Sequence, residues 1–346
     1  MQLNNYNNIF FIGIGGSGMS ALANYFVGEN KRVKGYDKFE STNTNNLQSK
    51  GVETIYNDDI DEVGIEYLEP EKTLVIYTPA IPKTSTLLQY FMSSGFVVLK
   101  RAEALGLIAN SSFCVAIAGT HGKTTTTSIL GHLLKSCDKS ATIFLGGISE
   151  NYNSNLIANG KDIFVVEADE FDKSFLTLKP NIACVTSIDA DHLDIYNGLD
   201  DLKDNFNLFI KNIVPEGILI SNEDLEIGGE SFGFESTSKY NIKNINLIDR
   251  GYNFDLFIED SLIQNFNFNL PGKHNLSNAL AAIVIAIQLD CNIKDLKLAL
   301  DTFMGVKRRY SFHINSKDLI YIDDYAHHPE EINAIYNSLL ESYPGE

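Results

Sequence analysis

The chain has 346 residues, of which 44% are hydrophobic, and carries a formal net charge of −18 at pH 7. At about 100–200 residues per domain, this length predicts two or three domains, and the hydrophobic fraction is too high for a disordered protein. Because nucleic-acid surfaces depend on clustered Lys and Arg, 27 basic against 45 acidic residues argue against a nucleic-acid partner, although a small phosphate site needs only a few amides and cations.

The cysteine pattern and the N-terminal sequence indicate where in the cell the protein is located. The four cysteines are widely spaced without a C-x-x-C pair, which is typical of reduced core residues in a cytosolic protein. The N-terminus lacks the basic region of a signal peptide, and no stretch reaches the ~18 apolar residues of a membrane helix. We therefore expect a soluble, cytoplasmic monomer or homodimer without a membrane partner.

The first segment alternates short apolar runs with amphipathic ones. The pattern predicts strands over Ile9–Ile14, Arg32–Tyr36 and Leu74–Thr78 and a helix over Ser17–Val27. Strands separated by helices predict βαβ units and a parallel sheet.

The loop after the first strand has the sequence GIGGSG, which fits G-x-G-x-x-G, and an acidic residue follows at the end of the second strand. This weak pattern predicts a diphosphate over the helix N-terminus. The candidate binding residues are Gly15, Gly16, Ser17, Gly18 and Asp37.

The strongest motif lies in the second segment. A predicted strand over Phe113–Ala118 runs into GTHGKTTTT at 119–127, and a helix continues to about Leu134. Such a turn cradles a nucleoside triphosphate: backbone N–H groups face the phosphates, Lys neutralises charge and a hydroxyl holds Mg²⁺. The general pattern would place Gly where Ile117 stands, so a polar turn with a chance G-K-T is the alternative. The candidates are Gly119, Thr120, His121, Gly122, Lys123, Thr124 and Thr125.

Two further strands, Ile163–Val166 and Ile182–Thr186, each run into an acidic or polar loop. Glu167, in the sequence VVEADE, is placed to bind Mg²⁺ directly or through water. His192 stands among three Asp residues, which favours a metal or phosphate role. The alternatives are a solvated strand-end loop for Glu167 and a structural role for His192.

The rest of this segment contains fewer candidate functional residues. Residues 216–270 alternate and predict small antiparallel strands, and Asn275–Leu289 and Lys294–Phe303 predict helices. Asn275 and Asn278 are three residues apart, so both face one side of the first helical turn. They could read a nucleobase edge, or Asn275 could cap the helix.

The last segment begins with GVKRRY, continues through a predicted strand over Leu319–Ile322 and DDYAHHP, and ends in a helix from Glu330 to about Leu340. One strand and one helix cannot bury a core of their own, so we expect the incomplete start of a further domain. The adjacent arginines Arg308 and Arg309 suit phosphate clamping on domain closure, and an exposed basic linker is the alternative.

Taken in order, these motifs resemble those of the Mur ligase family. The resemblance rests on GIGGSGMSALA, GTHGKTTTT, VEADEFDKSFL, TSIDADHLDIY, PGKHNLSNALAA, GVKRRY and DDYAHHP, which span essentially the whole chain. It implies a UDP-sugar-binding Rossmann-like domain over 1–106 and the incomplete start of a Rossmann-like ligase domain over 305–346. Between them, residues 107–304 would form a central ATP-binding α/β domain of the P-loop ATPase type with a small antiparallel sheet.

The resemblance further implies that ATP activates the lactyl carboxylate of UDP-N-acetylmuramate as an acyl phosphate, which L-alanine then attacks. By matching motif, Lys123 would hold the β- and γ-phosphates, Thr124 with Glu167 one Mg²⁺, and His192 with Glu167 a second. Asn275 and Asn278 would face adenine and Arg308 the γ-phosphate. Asp324, Tyr325 and His327 would lie on the ribose and amino-acid side.

Three other functions stay open at this point. A murein peptide ligase would use the same chemistry with a peptide in place of L-alanine. An NAD-dependent oxidoreductase would account for the first glycine loop and Asp37, but not for GTHGKTTTT, Glu167 or His192. A truncated protein could bind ATP and the UDP-sugar without joining the amine.

Overall fold

The structure is a computed structural model that describes residues 3–189, 196, 198–248, 251–259, 261–316 and 318–344, without the side chains of Asn4 and Asp172. The chain divides into two compact units, Met1–Ser111 and Ser112–Glu346. The three-domain division into 1–106, 107–304 and 305–346 stays a prediction.

The first unit is a five-stranded sheet whose strands all pair in parallel, in the order β3-β2-β1-β4-β5. Its strands are β1 (Asn8–Ile12), β2 (Arg32–Tyr36), β3 (Glu53–Ile55), β4 (Thr73–Tyr77) and β5 (Val97–Lys100), and its helices are α1 (Ser17–Gly28), α2 (Thr42–Gln48), α3 (Thr86–Ser93) and α4 (Arg101–Ala109). The central strand β1 is buried throughout, which is why its sequence is apolar from Ile9 to Ile12.

The second unit is built on a ten-stranded sheet in the order β15-β14-β13-β12-β11-β10-β6-β9-β7-β8. Its strands are β6 (Phe113–Ala118), β7 (Ala141–Ser149), β8 (Ser154–Ala158), β9 (Ile163–Ala168), β10 (Ile182–Val185), β11 (Ile218–Asn222), β12 (Glu230–Gly233), β13 (Tyr240–Ile248), β14 (Gly251–Ile258) and β15 (Ser261–Phe268). Its helices are α5 (Lys123–Ser136), α6 (Leu199–Lys211), α7 (Lys273–Gln288) and α8 (Ile293–Asp301).

The predicted α/β class is confirmed, but one part of the strand prediction is wrong. Within 216–270, the described residues of β11 and β12 pair in parallel with their neighbours, and only the β13–β14 and β14–β15 pairs are antiparallel. Because α6 connects β10 to β11, the chain crosses over and returns to the same sheet edge, as parallel pairing requires. The antiparallel strands therefore extend the large sheet and do not form one of their own.

The residues after α8 form a hairpin of β16 (Ser311–Asn315) and β17 (Ile320–Asp323), followed by α9 (Pro329–Ser342). The sequence predicts β17 and α9 but not β16. Helix α7 contacts both α5 and α9. Within the part of the chain that the structure describes, no helix combines the length and apolar character needed to cross a membrane.

Candidate functional site

A cavity of about 660 Å³ lies in the second unit, beyond the carboxyl ends of the parallel strands β6 and β10. Ligands of open α/β sheets bind at this edge. Its walls come from 120–125, 186–189 and 222–225, the first turn of α7, and the segment before and within α9. Most of the motifs of the second and third segments therefore meet around one space.

The GTHGKTTTT loop has a conformation that only glycine satisfies at two positions. Gly119 has φ +139° and Gly122 has φ +85°, and a Cβ at Gly122 would collide with Oδ1 of Asn278. The end of β10 holds the loop from the other side: Ser187 Oγ accepts from the His121 N–H at 2.9 Å, and Thr186 Oγ1 donates to the His121 carbonyl at 2.5 Å.

Lys123, at the start of α5, points back over the loop. Its Nζ donates to the carbonyl of Gly119 at 2.5 Å and to both carboxylate oxygens of Glu170 at 2.9 and 2.8 Å. The Lys123 side chain is 16% exposed and that of Glu170 is 0% exposed. The sequence pattern did not single out Glu170, although the run of acidic residues in VVEADE was the available signal.

Glu167, the predicted metal ligand at the end of β9, contacts Thr124, the other predicted ligand. Glu167 Oε2 accepts from Thr124 Oγ1 at 2.9 Å, and Oε1 accepts from the Gly146 N–H at 2.5 Å. Burial raises the pKa of Glu167, against the opposing effect of these hydrogen bonds and of the Lys123 charge. A hydroxyl and a carboxylate are hard oxygen ligands of the kind that Mg²⁺ prefers. His192 lies outside the described residues.

The two asparagines of α7 both line the cavity and are nearly buried. Asn275 donates through Nδ2 to the carbonyl of Pro271 at 2.7 Å, and Asn278 accepts from Thr126 Oγ1 at 3.3 Å. The capping alternative for Asn275 is wrong, because the N-cap residue of α7 is Gly272 and the helix has no side-chain cap.

The segment around β17 brings Asp324 and His327 to the cavity, but neither Arg308 nor Tyr325 is among the residues that line it. Arg308 is 62% exposed, with its guanidinium 4.9 Å from the Tyr325 ring centroid and its Nε 3.6 Å from Asp323. Arg309 lines the cavity instead. Burial raises the pKa of Asp324, although its carboxylate accepts from the N–H groups of Tyr310 and Ala326.

Two further residues of this wall have no role in the functional site predicted from the sequence. His274 lines the cavity, and burial lowers its pKa to about 4. Burial opposes the ionisation of Glu331, but its contacts with His121 and the His327 N–H and the charge of Arg309 lower its pKa to about 2. His274 stood in PGKHN with no partner visible in the sequence, and Glu331 reads as an ordinary first-turn helix residue.

The first unit gathers its own predicted residues. The Gly15 N–H donates to Asp37 Oδ2 at 2.7 Å, and Asn43 Nδ2 donates to the Gly15 carbonyl at 2.8 Å. Gly16 is the N-cap residue of α1, so no side chain stands over the helix start there, and a Cβ at Gly18 would lie 2.8 Å from Arg101 Nη1. The glycine loop, Ser17 at the helix start and Asp37 therefore form one cluster at the carboxyl end of β1 and β2.

Comparison with known proteins matches both units. Residues 8–113 match the catalytic domain of the Mur ligase family, and residues 117–286 match the Mur ligase middle domain. The chain is 46% identical over its full length to the UDP-N-acetylmuramate–L-alanine ligase of Christiangramia forsetii and 49% identical to that of Flavobacterium psychrophilum, and it spans 76% and 77% of those proteins.

A solved structure agrees with this similarity. The crystal structure of UDP-N-acetylmuramate-alanine ligase from Thermotoga maritima superposes with a TM-score of 0.85 at 27% identity, over 98% of this chain and 79% of that one.

Proposed function

Because the chain belongs to the Mur ligase family, we propose that it is an ATP-dependent ligase that joins L-alanine to the lactyl carboxylate of UDP-N-acetylmuramate in peptidoglycan precursor synthesis. One observation of the structure supports the proposal: Lys123 and Thr124 line a cavity beside a glycine loop, and Thr124 Oγ1 donates to the Glu167 carboxylate at 2.9 Å. The whole-chain relatives carry the name of this ligase, which disfavours the oxidoreductase interpretation.

The residues of the loop would bind the ATP phosphates. Backbone N–H groups of Gly122, Lys123, Thr124 and Thr125 lie at the N-terminus of α5, where the helix dipole favours anions. Gly119, Thr120 and His121 would shape the rest of the phosphate loop, since the N–H groups of Thr120 and His121 donate to Ser187. The Lys123 ammonium would offset the charge that accumulates when the substrate carboxylate attacks the γ-phosphate. The same cation would stabilise the oxyanion formed when the amine attacks the acyl phosphate.

Thr124 and Glu167 would hold Mg²⁺, with His192 and Glu167 proposed for a second ion. Bound Mg²⁺ would neutralise phosphate charge and orient the reacting oxygens. The protein's part is to keep the Glu167 carboxylate fixed through Thr124 and Gly146, so that the ligand atoms are oriented before the ion arrives.

The other cavity walls have roles in the same proposal. Asn275 and Asn278 would face adenine, and Asp324, His327 and Tyr325 the ribose and the incoming amino acid. Arg308 would reach the γ-phosphate only after leaving the Tyr325 ring, whereas Arg309 already lines the cavity.

The first unit would bind the nucleotide-sugar. The N-terminus of α1 would take the UDP diphosphate through Gly15, Gly16, Ser17 and Gly18, with Asp37 fixing the loop. We also propose the three-domain division and a cytoplasmic location, where ATP is available, and a monomer or homodimer as the functional form.

Phosphate release from ATP tests the proposal. The chain is assayed with UDP-N-acetylmuramate and either L-alanine, a tripeptide or no amine. Release that requires L-alanine supports the proposed ligase, and release that requires the tripeptide indicates a murein peptide ligase. Binding of ATP without any release indicates a binding protein, and NADH-dependent turnover without ATP indicates an oxidoreductase; either result would contradict the proposal.

A further inference from the structure

A cluster of imidazoles and carboxylates lies at the edge of the cavity, apart from the Thr124–Glu167 pair. One ring nitrogen each of His121 and His328 and a carboxylate oxygen of Glu330 lie within 4.8 Å of one another. His121 belongs to the glycine loop, whereas His328 and Glu330 stand at the start of α9. The two imidazole rings face each other with centroids 5.2 Å apart.

The surroundings of His121 fit a metal ligand. Its Nδ1 lies 3.3 Å from Glu331 Oε1, while its Nε2 lies 3.9 Å from Glu330 Oε2 and 3.7 Å from Asp189 Oδ2. Metal-binding histidines commonly present one ring nitrogen to the ion and the other to a carboxylate that fixes the tautomer. Glu331 is in the second position, which leaves Nε2 to face the ligand group.

The charge balance points the same way. Three carboxylates, of Asp189, Glu330 and Glu331, lie around the His121 imidazole, and Arg309 Nη1, 3.8 Å from Glu331 Oε1, offsets one of them. His327 Nδ1 also lies 3.4 Å from Glu331 Oε2. With neutral imidazoles the group carries two net negative charges, which one divalent cation would balance.

We propose that His121, His328 and Glu330 form a binding site for a divalent transition-metal ion of the zinc class, with Asp189 as the available fourth ligand. Imidazole nitrogen favours zinc-class ions over Mg²⁺ and Ca²⁺, which take oxygen ligands. Bonds of about 2.0–2.2 Å place tetrahedral ligand atoms about 3.4 Å apart, so side-chain rotation must shorten separations of up to 4.8 Å by as much as about 1.4 Å. The bound ion would tie the start of α9 to the glycine loop.

Metal titration of the 346-residue chain tests the site. Metal-free protein is titrated with Zn²⁺ by calorimetry and with Co²⁺ by visible absorption, in excess Mg²⁺ and without nucleotide. We expect one ion per chain and a tetrahedral Co²⁺ spectrum. His328→Asn keeps a capping side chain at the start of α9 but removes the imidazole, and Glu330→Gln keeps the volume; each should weaken binding at least about tenfold.

His313→Ala is the matched control, because His313 is exposed, stacks on Tyr321 and lies beside Asp323 outside the cluster. It should bind Zn²⁺ like the parent chain. Four results would each overturn the proposal. The parent chain could fail to bind the ion, or His328→Asn and Glu330→Gln could bind it as tightly as the parent chain. Mg²⁺ could displace Co²⁺, or only Glu167→Gln could lose the ion. Since no substrate is present, the result is independent of the ligase assay.

Discussion

Lys123, in the glycine loop, forms an ion pair with both carboxylate oxygens of Glu170, and its Nζ lies 2.9 and 2.8 Å from them. The Glu170 side chain has no exposed surface. The proposed β- and γ-phosphates of ATP would bind the same ammonium group. Glu170 therefore supplies the negative charge that balances Lys123 when no nucleotide is bound, and the incoming phosphate meets a cation that is already oriented.

The first prediction concerns Glu170→Gln. Removing one partner of a buried ion pair typically costs about 3–5 kcal/mol, because the other charge stays buried and unbalanced. We expect a lower melting temperature for the free variant. A non-hydrolysable ATP analogue should raise that temperature more in the variant than in the parent chain, because its phosphates restore the missing anion.

Thermal unfolding with and without the analogue measures both effects. Glu230→Gln is the control, since Glu230, the partly exposed first residue of β12, pairs with Lys239 at 2.8 Å and does not line the cavity. An equal stabilisation of parent and Glu170→Gln by the analogue would show that Glu170 and the phosphates do not share Lys123.

The parts of the site that could be predicted from the sequence are those whose residues lie close together in the chain. The loop at 119–127 and the strand ends at Glu167 and Asp37 could be predicted because each motif carries its own strand and turn signals. The positions of Glu170, Glu331 and Arg309 in the site could not be predicted from residue spacing. Glu170 pairs with Lys123, which is 47 residues away in the chain, and the other two enter the cavity through the direction of their side chains. Strand β7 was missed because Gly146 and Gly147 interrupt its apolar pattern, and β16 because most of it is exposed.

Lys123→Ala should reduce ATP-dependent phosphate release by about 10²–10³-fold or more. The loss follows from removing a fixed cation from the place where negative charge develops. Lys135→Ala, at the opposite end of α5 where the ammonium lies 4.3 Å from the Tyr152 ring centroid, should retain the parent rate. Full turnover by Lys123→Ala would contradict the role given to the loop, whatever the behaviour of the control.

Glu167→Gln should raise the Mg²⁺ concentration needed for half-maximal activity by at least about tenfold, because an amide is a weaker ligand than a carboxylate for a hard cation. The amide oxygen can still accept from the Gly146 N–H, and the amide NH2 can donate to Thr124 Oγ1, so the change falls mainly on charge. Initial rates over a Mg²⁺ series measure it. Asp169→Asn, two residues along the same loop, is the control, and an identical Mg²⁺ curve for Glu167→Gln would rule out Glu167 as a ligand.

His274 predicts a pH dependence of stability. Its pKa is lowered by burial from 6.5 to about 4, so between these values the unfolded chain binds a proton that the folded chain does not. The free energy of unfolding should therefore fall as the pH drops from 6.5 to 4. The shift corresponds to on the order of 3 kcal/mol, and to less where water reaches the ring.

Urea unfolding followed by circular dichroism at several pH values measures this slope. His274→Gln should reduce the slope between pH 4 and 6.5, and part of it should remain because burial also lowers the pKa of His132. The exposed His313→Gln should leave the slope unchanged. Glu331, whose pKa is lowered from 4.5 to about 2, loses its stabilising contribution as the pH falls between these values, and does so in both variants. An unchanged slope in His274→Gln would mean that His274 takes up its proton equally in both states.

Substituting two glycines that have the same φ distinguishes the cost of backbone strain from the cost of a steric collision. Gly122 and Gly51 both have φ +85°, but a Cβ at Gly122 would strike Asn278 Oδ1, whereas nothing lies within 4 Å of a Cβ at Gly51. Gly51→Ala should cost about 1–2 kcal/mol of stability, the strain of a left-handed alanine. Gly122→Ala should cost more and weaken binding of the ATP analogue, because the Asn278 side chain must move away from the loop. Calorimetry measures the affinity of both variants for the ATP analogue. If Gly122→Ala binds the analogue as tightly as Gly51→Ala does, the loop tolerates a side chain at position 122. The contact between Gly122 and Asn278 would then not shape the phosphate site.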